Sequence, residues 1–198
     1  MDIVSATILL ILVMDPFGNM PLVISVLKNV EPGARAKVVL RECAIAYAVL
    51  LAFMFGGHRF MQLLQLSDTA LGIAGGMILF LIALRMVFPH AEGIFGDTGE
   101  MSTFIVPLAI PAIAGPSALA TVLLLVSREP QRVFAWVAAL SLATLASALV
   151  MISAQRISRW MGKRGMIAME RLMGLVLTAI AVQMLLAGIE RFVIQLPR

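Results

Sequence analysis

Long apolar runs alternate with short basic stretches along this chain. A helix that crosses a bilayer needs about 20 mostly apolar residues, and six segments meet that need: residues 3–27, 38–57, 69–88, 104–127, 133–155 and 172–189. None alternates apolar and polar positions with a period of two, as the strands of a membrane barrel do. The expected fold is therefore all-α and polytopic, with six transmembrane helices in one integral membrane domain over residues 1–198. The first run follows Met1 and Asp2 with no basic stretch before it and is longer than a signal core, so it reads as a retained span.

Two of the runs are interrupted, and the interruptions match. Asp15-Pro16-Phe17-Gly18-Asn19-Met20-Pro21 aligns without a gap on Ile110-Pro111-Ala112-Ile113-Ala114-Gly115-Pro116, so Pro16 falls on Pro111 and Pro21 on Pro116. Residues 70–86 align in the same way on 168–184, with Gly76 on Gly174, Leu79 on Leu177, Ala83 on Ala181 and Met86 on Met184. The chain thus divides into repeats of three spans, about 1–89 and 99–198. Three is odd, so the second repeat enters the membrane inverted. Matched interruptions in inverted repeats are the sequence mark of a transporter's midplane site.

Proline lacks an amide proton, and its ring clashes with the carbonyl four residues earlier. Paired prolines with a glycine between them should open helices 1 and 4 at midplane. The freed peptide groups cost several kcal/mol each in hydrocarbon unless they are satisfied, so both breaks belong inside the bundle. Two half-helix amino ends then meet there, suited to a carboxylate, while half-helix carboxyl ends suit a cation or an ammonium group. The expected binding residues are Asp15, Pro16, Gly18, Asn19 and Pro21 in the first break, and Pro111, Gly115, Pro116, Ser117 and Thr121 in the second.

Asp15 has two compatible roles: a coupling carboxylate for H⁺, Na⁺ or a substrate ammonium, or a buried N-cap ahead of Pro16. Asn19 either lines the site or takes a left-handed turn position, and the turn is favoured. Ser117 and Thr121 share a face, though such hydroxyls more often bond their own backbone. Glu42, Glu170 and Arg171 stand where spans begin, as a gate, an ion pair or simple end charges, with capping favoured for Glu42. Gln183 lies deep in the last span and is expected to bond across the bundle. His58 and His90 are isolated near span ends.

Composition narrows the function. The chain is 61% hydrophobic and only 13% charged, about half the charged share of a soluble domain. That excludes an ordinary soluble enzyme and a nucleic-acid binder despite the net charge of +4. No catalytic pair, nucleophilic triad, phosphate loop or metal-ligand spacing is visible, so no enzyme activity, cofactor or metal is expected, and the one cysteine, Cys43, forms no disulfide framework. Lys28, Arg35, Lys37, Arg41, Arg85, Arg156, Arg159, Lys163, Arg164 and Arg171 fall on one side. Arg59, Arg128, Arg132, Arg191 and Arg198 fall on the other. The positive-inside rule makes the first side cytoplasmic and both termini periplasmic.

Three segments carry a family resemblance: Met14-Asp15-Pro16-Phe17-Gly18-Asn19-Met20-Pro21, Phe104-Ile105-Val106-Pro107-Leu108-Ala109-Ile110-Pro111 with Ala114-Gly115-Pro116, and Glu170-Arg171-Leu172-Met173-Gly174. With them the chain resembles the MarC family of bacterial inner-membrane proteins, within a superfamily of small-solute exporters related to lysine exporters. The resemblance implies a six-span protein of the inner membrane, and some members are described as small neutral amino-acid transporters. The expected function is a secondary transporter of a small neutral amino acid working by alternating access, with H⁺ or Na⁺ as coupling ion. The alternatives are a channel-like pore and a non-transporting scaffold or sensor. Expected partners are the substrate, the ion, the bilayer and further copies of the chain.

Overall fold

The computed structural model describes residues 1–28, 30–63, 65–88 and 113–195. Within them all regular structure is helical: α1 (Ile3–Met14), α2 (Met20–Leu27), α3 (Arg35–Leu63), α4 (Asp68–Val87), α5 (Pro116–Arg128) and α6 (Val133–Gln195). The segment 89–112, with Pro107, His90 and Pro111, lies outside the described residues, as do the side chain of His58 and Arg198. Three stretches, Arg35–Gly57, Thr69–Val87 and Pro130–Ile194, are long and apolar enough to cross a membrane, while Ile3–Met14 and Pro116–Arg128 are shorter apolar helices.

The first apolar run is two helices, because the residues at its centre end one and start the next. Asp15 adopts φ 42° and ψ 62°, the left-handed conformation that closes helix carboxyl ends, and its N–H donates to the Ile11 and Leu12 carbonyls. Pro16 follows, and the chain turns through Asn19 into α2, with Pro21 in the first turn. α3 and α6 extend further than hydropathy marks. α6 runs 63 residues through the basic stretch between residues 155 and 172, since Arg and Lys are good helix formers. It consists of two arms meeting at Gly162, whose φ of 66° and ψ of 177° are not helical.

That conformation belongs almost only to glycine. A Cβ on Gly162 would meet nothing within 4 Å, so a substitution there acts through the backbone alone. Gly162→Ala is expected to cost about 1–3 kcal/mol, measured as a lower melting temperature of the purified protein. An unchanged melting temperature would show that the arms tolerate another joint.

The core is shared by all six helices, from Leu10 and Met14 on α1 to Trp136, Leu140 and Leu177 on α6. The outer surface is apolar too: Phe134, Leu142, Leu145 and Leu149 form an exposed stripe on α6, while Asp15, Glu42, Ser117 and Ser147 are buried. Apolar outside with polar groups inside is the arrangement lipid requires.

Two antiparallel contacts set the frame. The first joins α3 to the first arm of α6, where the Arg35 guanidinium donates to Gln155 Oε1 at 2.8 Å and the Tyr47 and Ser141 hydroxyls lie 2.7 Å apart. The second joins α4 to the second arm of α6, and glycines make it close. A Cβ on Gly76 would lie 3.1 Å from the Ala181 carbonyl oxygen and from Met184 Cβ; one on Gly174 would lie 3.1 Å from the Ala83 carbonyl oxygen and 2.9 Å from Met86 Cβ. At the corner of α5 and α6, the Met1 amino group and Arg132 each donate to the Glu129 carboxylate at 3.0 Å. Those two donors hold the Glu129 carboxyl below its ordinary value.

Candidate functional site

The break between α1 and α2 is built around one carboxylate. Asp15 Oδ1 accepts the Gly18 N–H at 3.0 Å, and the Asp15 carbonyl accepts the Asn19 N–H at 3.1 Å. Asp15 thus ends α1 with its backbone and holds the following turn with its side chain. Gly18 is a glycine because of that closeness: a Cβ there would run into Asp15 Oδ2 and Met86 Cε. Asn19 does not take the left-handed position expected for it. It sits at φ −80° and ψ −6°, and its amide donates to the Met14 carbonyl at 3.1 Å. The left-handed step falls on residue 15 because it must directly follow the last residue of α1.

Of the second interrupted run, the residues from 113 onward are described. Gly115 is the N-cap of α5, extended at φ −65° and ψ 168°, with Pro116 beginning the helix and no side chain capping it. The first helical bond runs from the Leu119 N–H to the Gly115 carbonyl at 3.0 Å. The amides of Ser117 and Ala118 therefore have no partner within the helix. Thr121 donates its hydroxyl to the Ser117 carbonyl at 2.8 Å, the backbone bond anticipated for it.

The break between α1 and α2 and the start of α5 open on one cavity of about 250 Å³. Asp15, Gly18 and Asn19 come to its wall from the α1–α2 break, and Gly115 and Ser117 from the start of α5. Val13, Leu79, Ile82, Met86 and Leu177 make most of the remainder apolar. Of the other expected binding residues, Pro16, Pro21, Pro116 and Thr121 shape the breaks without joining this wall, and Pro111 lies outside the described residues. The wall also holds Arg85. It stands in the last turn of α4 and is exposed.

The remaining polar positions sit apart from the cavity. Glu42 is 1% exposed and lies two turns inside α3, so it does not cap that helix. Its Oε1 accepts from Arg41 at 2.9 Å, while Oε2 and the Ser147 hydroxyl are buried without a hydrogen-bond partner among the described residues. Removing the cation from a buried pair leaves an uncompensated charge. Arg41→Ala is expected to cost about 1–3 kcal/mol, since Arg41 is half exposed, and more than Glu42→Gln does. Thermal melts of both variants check the order, and equal losses would contradict it.

Glu170 and Arg171 do not begin a helix either, because the second arm of α6 starts just after Gly162. Glu170 is half-buried and does not line the cavity. Gln183 is exposed and makes no hydrogen bond to the described residues, contrary to the expected bond across the bundle. The face of α6 toward α4 carries Ala181, Met184 and Leu185, and position 183 points away from it.

Comparison with known proteins agrees with the helical membrane architecture. The profile of the family described as "MarC family integral membrane protein" matches residues 1–193. The UPF0056 inner membrane protein YhgN of Escherichia coli (strain K12) is 45% identical over 190 residues, covering 96% of each chain. A UPF0056 membrane protein of Buchnera aphidicola subsp. Baizongia pistaciae (strain Bp) is 41% identical over 193 residues, again with 96% of each chain covered. One from Pyrococcus abyssi (strain GE5 / Orsay) is 30% identical over 180 residues, with 89% of this chain and 88% of its own covered. No solved structure matches.

Proposed function

The chain belongs to the MarC family of integral membrane proteins, and on that footing we propose that it is a six-span secondary transporter of the bacterial inner membrane. Its substrate is a small solute, a small neutral amino acid, moved by alternating access around the paired helix breaks. No chemical step on the substrate is involved. The observation that carries the reading is the shared cavity: residues from two interrupted runs about a hundred positions apart in sequence meet on one wall, with Asp15 among them.

Three further features support it. A straight helix of 63 residues would be about 95 Å long, three times the hydrocarbon thickness, so the arms of α6 make two passes. Together with α3, α4, the α1–α2 pair and the run ending in α5, that amounts to six. The contact between α4 and α6 is reciprocal: Gly76 meets Ala181 and Met184, and Gly174 meets Ala83 and Met86. Those are the positions the sequence repeat equates, so exchanging the two repeats maps the contact onto itself, as an inverted repeat with a two-fold axis requires. Leu79 and Leu177, also equated, both line the cavity.

In this reading Asp15 is the coupling group for H⁺ or Na⁺, and the backbone at Gly18 and Gly115 cradles the solute. The test is a thermal-shift screen of small solutes on purified protein, followed by flux measurements in proteoliposomes. Saturable flux that follows a proton or sodium gradient is the expected result. Flux that neither saturates nor follows a gradient would make the protein a pore, and no flux of any stabilising solute would leave it a scaffold or sensor.

A further inference from the structure

The joint of α6 carries positive charge without counter-charge. Arg156, Arg159, Lys163 and Arg164 flank Gly162, are exposed, and make no ion pair among the described residues. The nearest acidic residues along the chain are Glu129 and Glu170. On the first arm, Ile152, Ser153, Gln155, Arg156 and Arg159 line a recess of about 380 Å³. We propose that this recess holds the phosphodiester of an anionic phospholipid, with an acyl chain along the apolar stripe that leads into it. The site lies apart from the cavity at Asp15, and the inference rests only on the two-pass reading of α6, which brings the joint to a membrane surface.

The wall of the recess is a set of donors. Arg156 and Arg159 stand about one turn apart, and guanidinium forks match the oxygens of a phosphate. Gln155 gives its Oε1 to Arg35 at 2.8 Å, which leaves its amide N–H groups for a ligand and sets a further cation beside the recess. The Ser153 hydroxyl makes no hydrogen bond to the described residues, whereas Ser141 and Thr144 on the same arm each donate to the carbonyl four residues back. No carboxylate lies on the wall. Such a wall suits a ligand with negative charge and several acceptor oxygens. A choline headgroup would bring another cation toward the arginines.

The apolar side of the recess selects a lipid over a free anion. Ile152 continues the exposed stripe of Leu142, Leu145 and Leu149, each three or four residues from the next. An acyl chain laid on that stripe ends where the donors begin. Trp160, beside Arg159, is 88% exposed, and an amphipathic ring of that kind belongs at headgroup level. Basic pockets at the same level bind anionic headgroups.

The test titrates purified protein in detergent with dioleoylphosphatidylglycerol, dioleoylphosphatidylcholine and inorganic phosphate, and follows the melting temperature. Phosphatidylglycerol should stabilise the wild type, and the other two should not. Arg156→Gln combined with Arg159→Gln should raise the phosphatidylglycerol concentration needed by about 10- to 30-fold, and each single substitution by about 5-fold. Both side chains are exposed and unpaired, so without lipid the variants should melt as the wild type does. Lys37→Gln removes an exposed charge from the same basic side and should change nothing. Equal stabilisation by the two lipids, an undiminished effect in the arginine variants, or an equal loss in Lys37→Gln would overturn the proposal. Stabilisation by phosphate alone would make the recess a site for a soluble anion and overturn it as well. Labelling of Lys163→Cys, on a Cys43→Ala background, by a water-soluble thiol reagent reads the position of the joint separately. If that cysteine is inert in membranes of either orientation, the two-pass reading fails and this inference with it. If it is labelled and phosphatidylglycerol has no advantage, only the lipid site fails.

Discussion

Asp15→Asn is expected to reduce gradient-driven flux to the level of protein-free liposomes while leaving the protein folded. The two halves of that expectation have separate causes. Position 15 needs a residue that accepts φ 42°, and asparagine visits the left-handed region more readily than any residue except glycine. Its amide oxygen can still accept the Gly18 N–H that Asp15 Oδ1 now accepts at 3.0 Å. The stability change should therefore stay under about 1 kcal/mol. What disappears is the negative charge, the only one among the described residues on the cavity wall. A neutral side chain can neither hold Na⁺ by charge nor exchange a proton with the gradient. Flux under an imposed proton or sodium gradient measures the loss, and a melting curve verifies the fold. Full coupled flux in Asp15→Asn would remove the residue from coupling and return it to a purely structural cap.

Gly174→Leu carries the second large expected effect, on folding. A Cβ at position 174 would already sit 2.9 Å from Met86 Cβ and from Val87 Cγ2, and 3.1 Å from the Ala83 carbonyl oxygen. The carbonyl belongs to the backbone of α4 and has no rotamer by which to retreat. Three further carbon atoms must push α4 and α6 apart, so the cost should exceed the usual overpacking range and reach about 3 kcal/mol or more. Little folded protein should then be recovered in detergent. Gly76→Leu strikes the equivalent position, against the Ala181 carbonyl oxygen at 3.1 Å, and should do the same. The double variant should lose less than the sum, because either substitution alone prises the same two helices apart. Additive losses would mean that the two glycines serve separate contacts.

Much of this was legible in the sequence because lipid leaves few solutions. Apolar runs of about 20 residues are helices, and α3 and α4 lie where hydropathy places them. The first break was readable from Pro16, Gly18 and Pro21, since proline acts on its own helix locally. Asp15, Gly18, Asn19, Gly115 and Ser117 were named from that logic, and all five line the cavity. What escaped was direction. The rotation that turns Gln183 outward, away from the contact with α4, depends on which face of α6 its neighbours occupy. Helix length escaped too: the stretch between 155 and 172 reads as a polar loop, yet its lysines and arginines favour helix, and a single glycine makes the joint. The same effect removed Glu42, Glu170 and Arg171 from helix starts, where a carboxylate or its neighbour would have served as an end charge.

The central claim is that the two helix breaks share a water-filled cavity inside the bundle, and thiol accessibility measures it most directly. On a Cys43→Ala background, Ser117→Cys probes the cavity wall, and Leu145→Cys probes the exposed apolar stripe. The account expects a membrane-impermeant, water-soluble thiol reagent to label position 117 in intact membranes, and a transported solute to slow that labelling. Position 145 should stay inert. A cysteine at 117 as unreactive as the one at 145, in membranes oriented either way, would contradict the account.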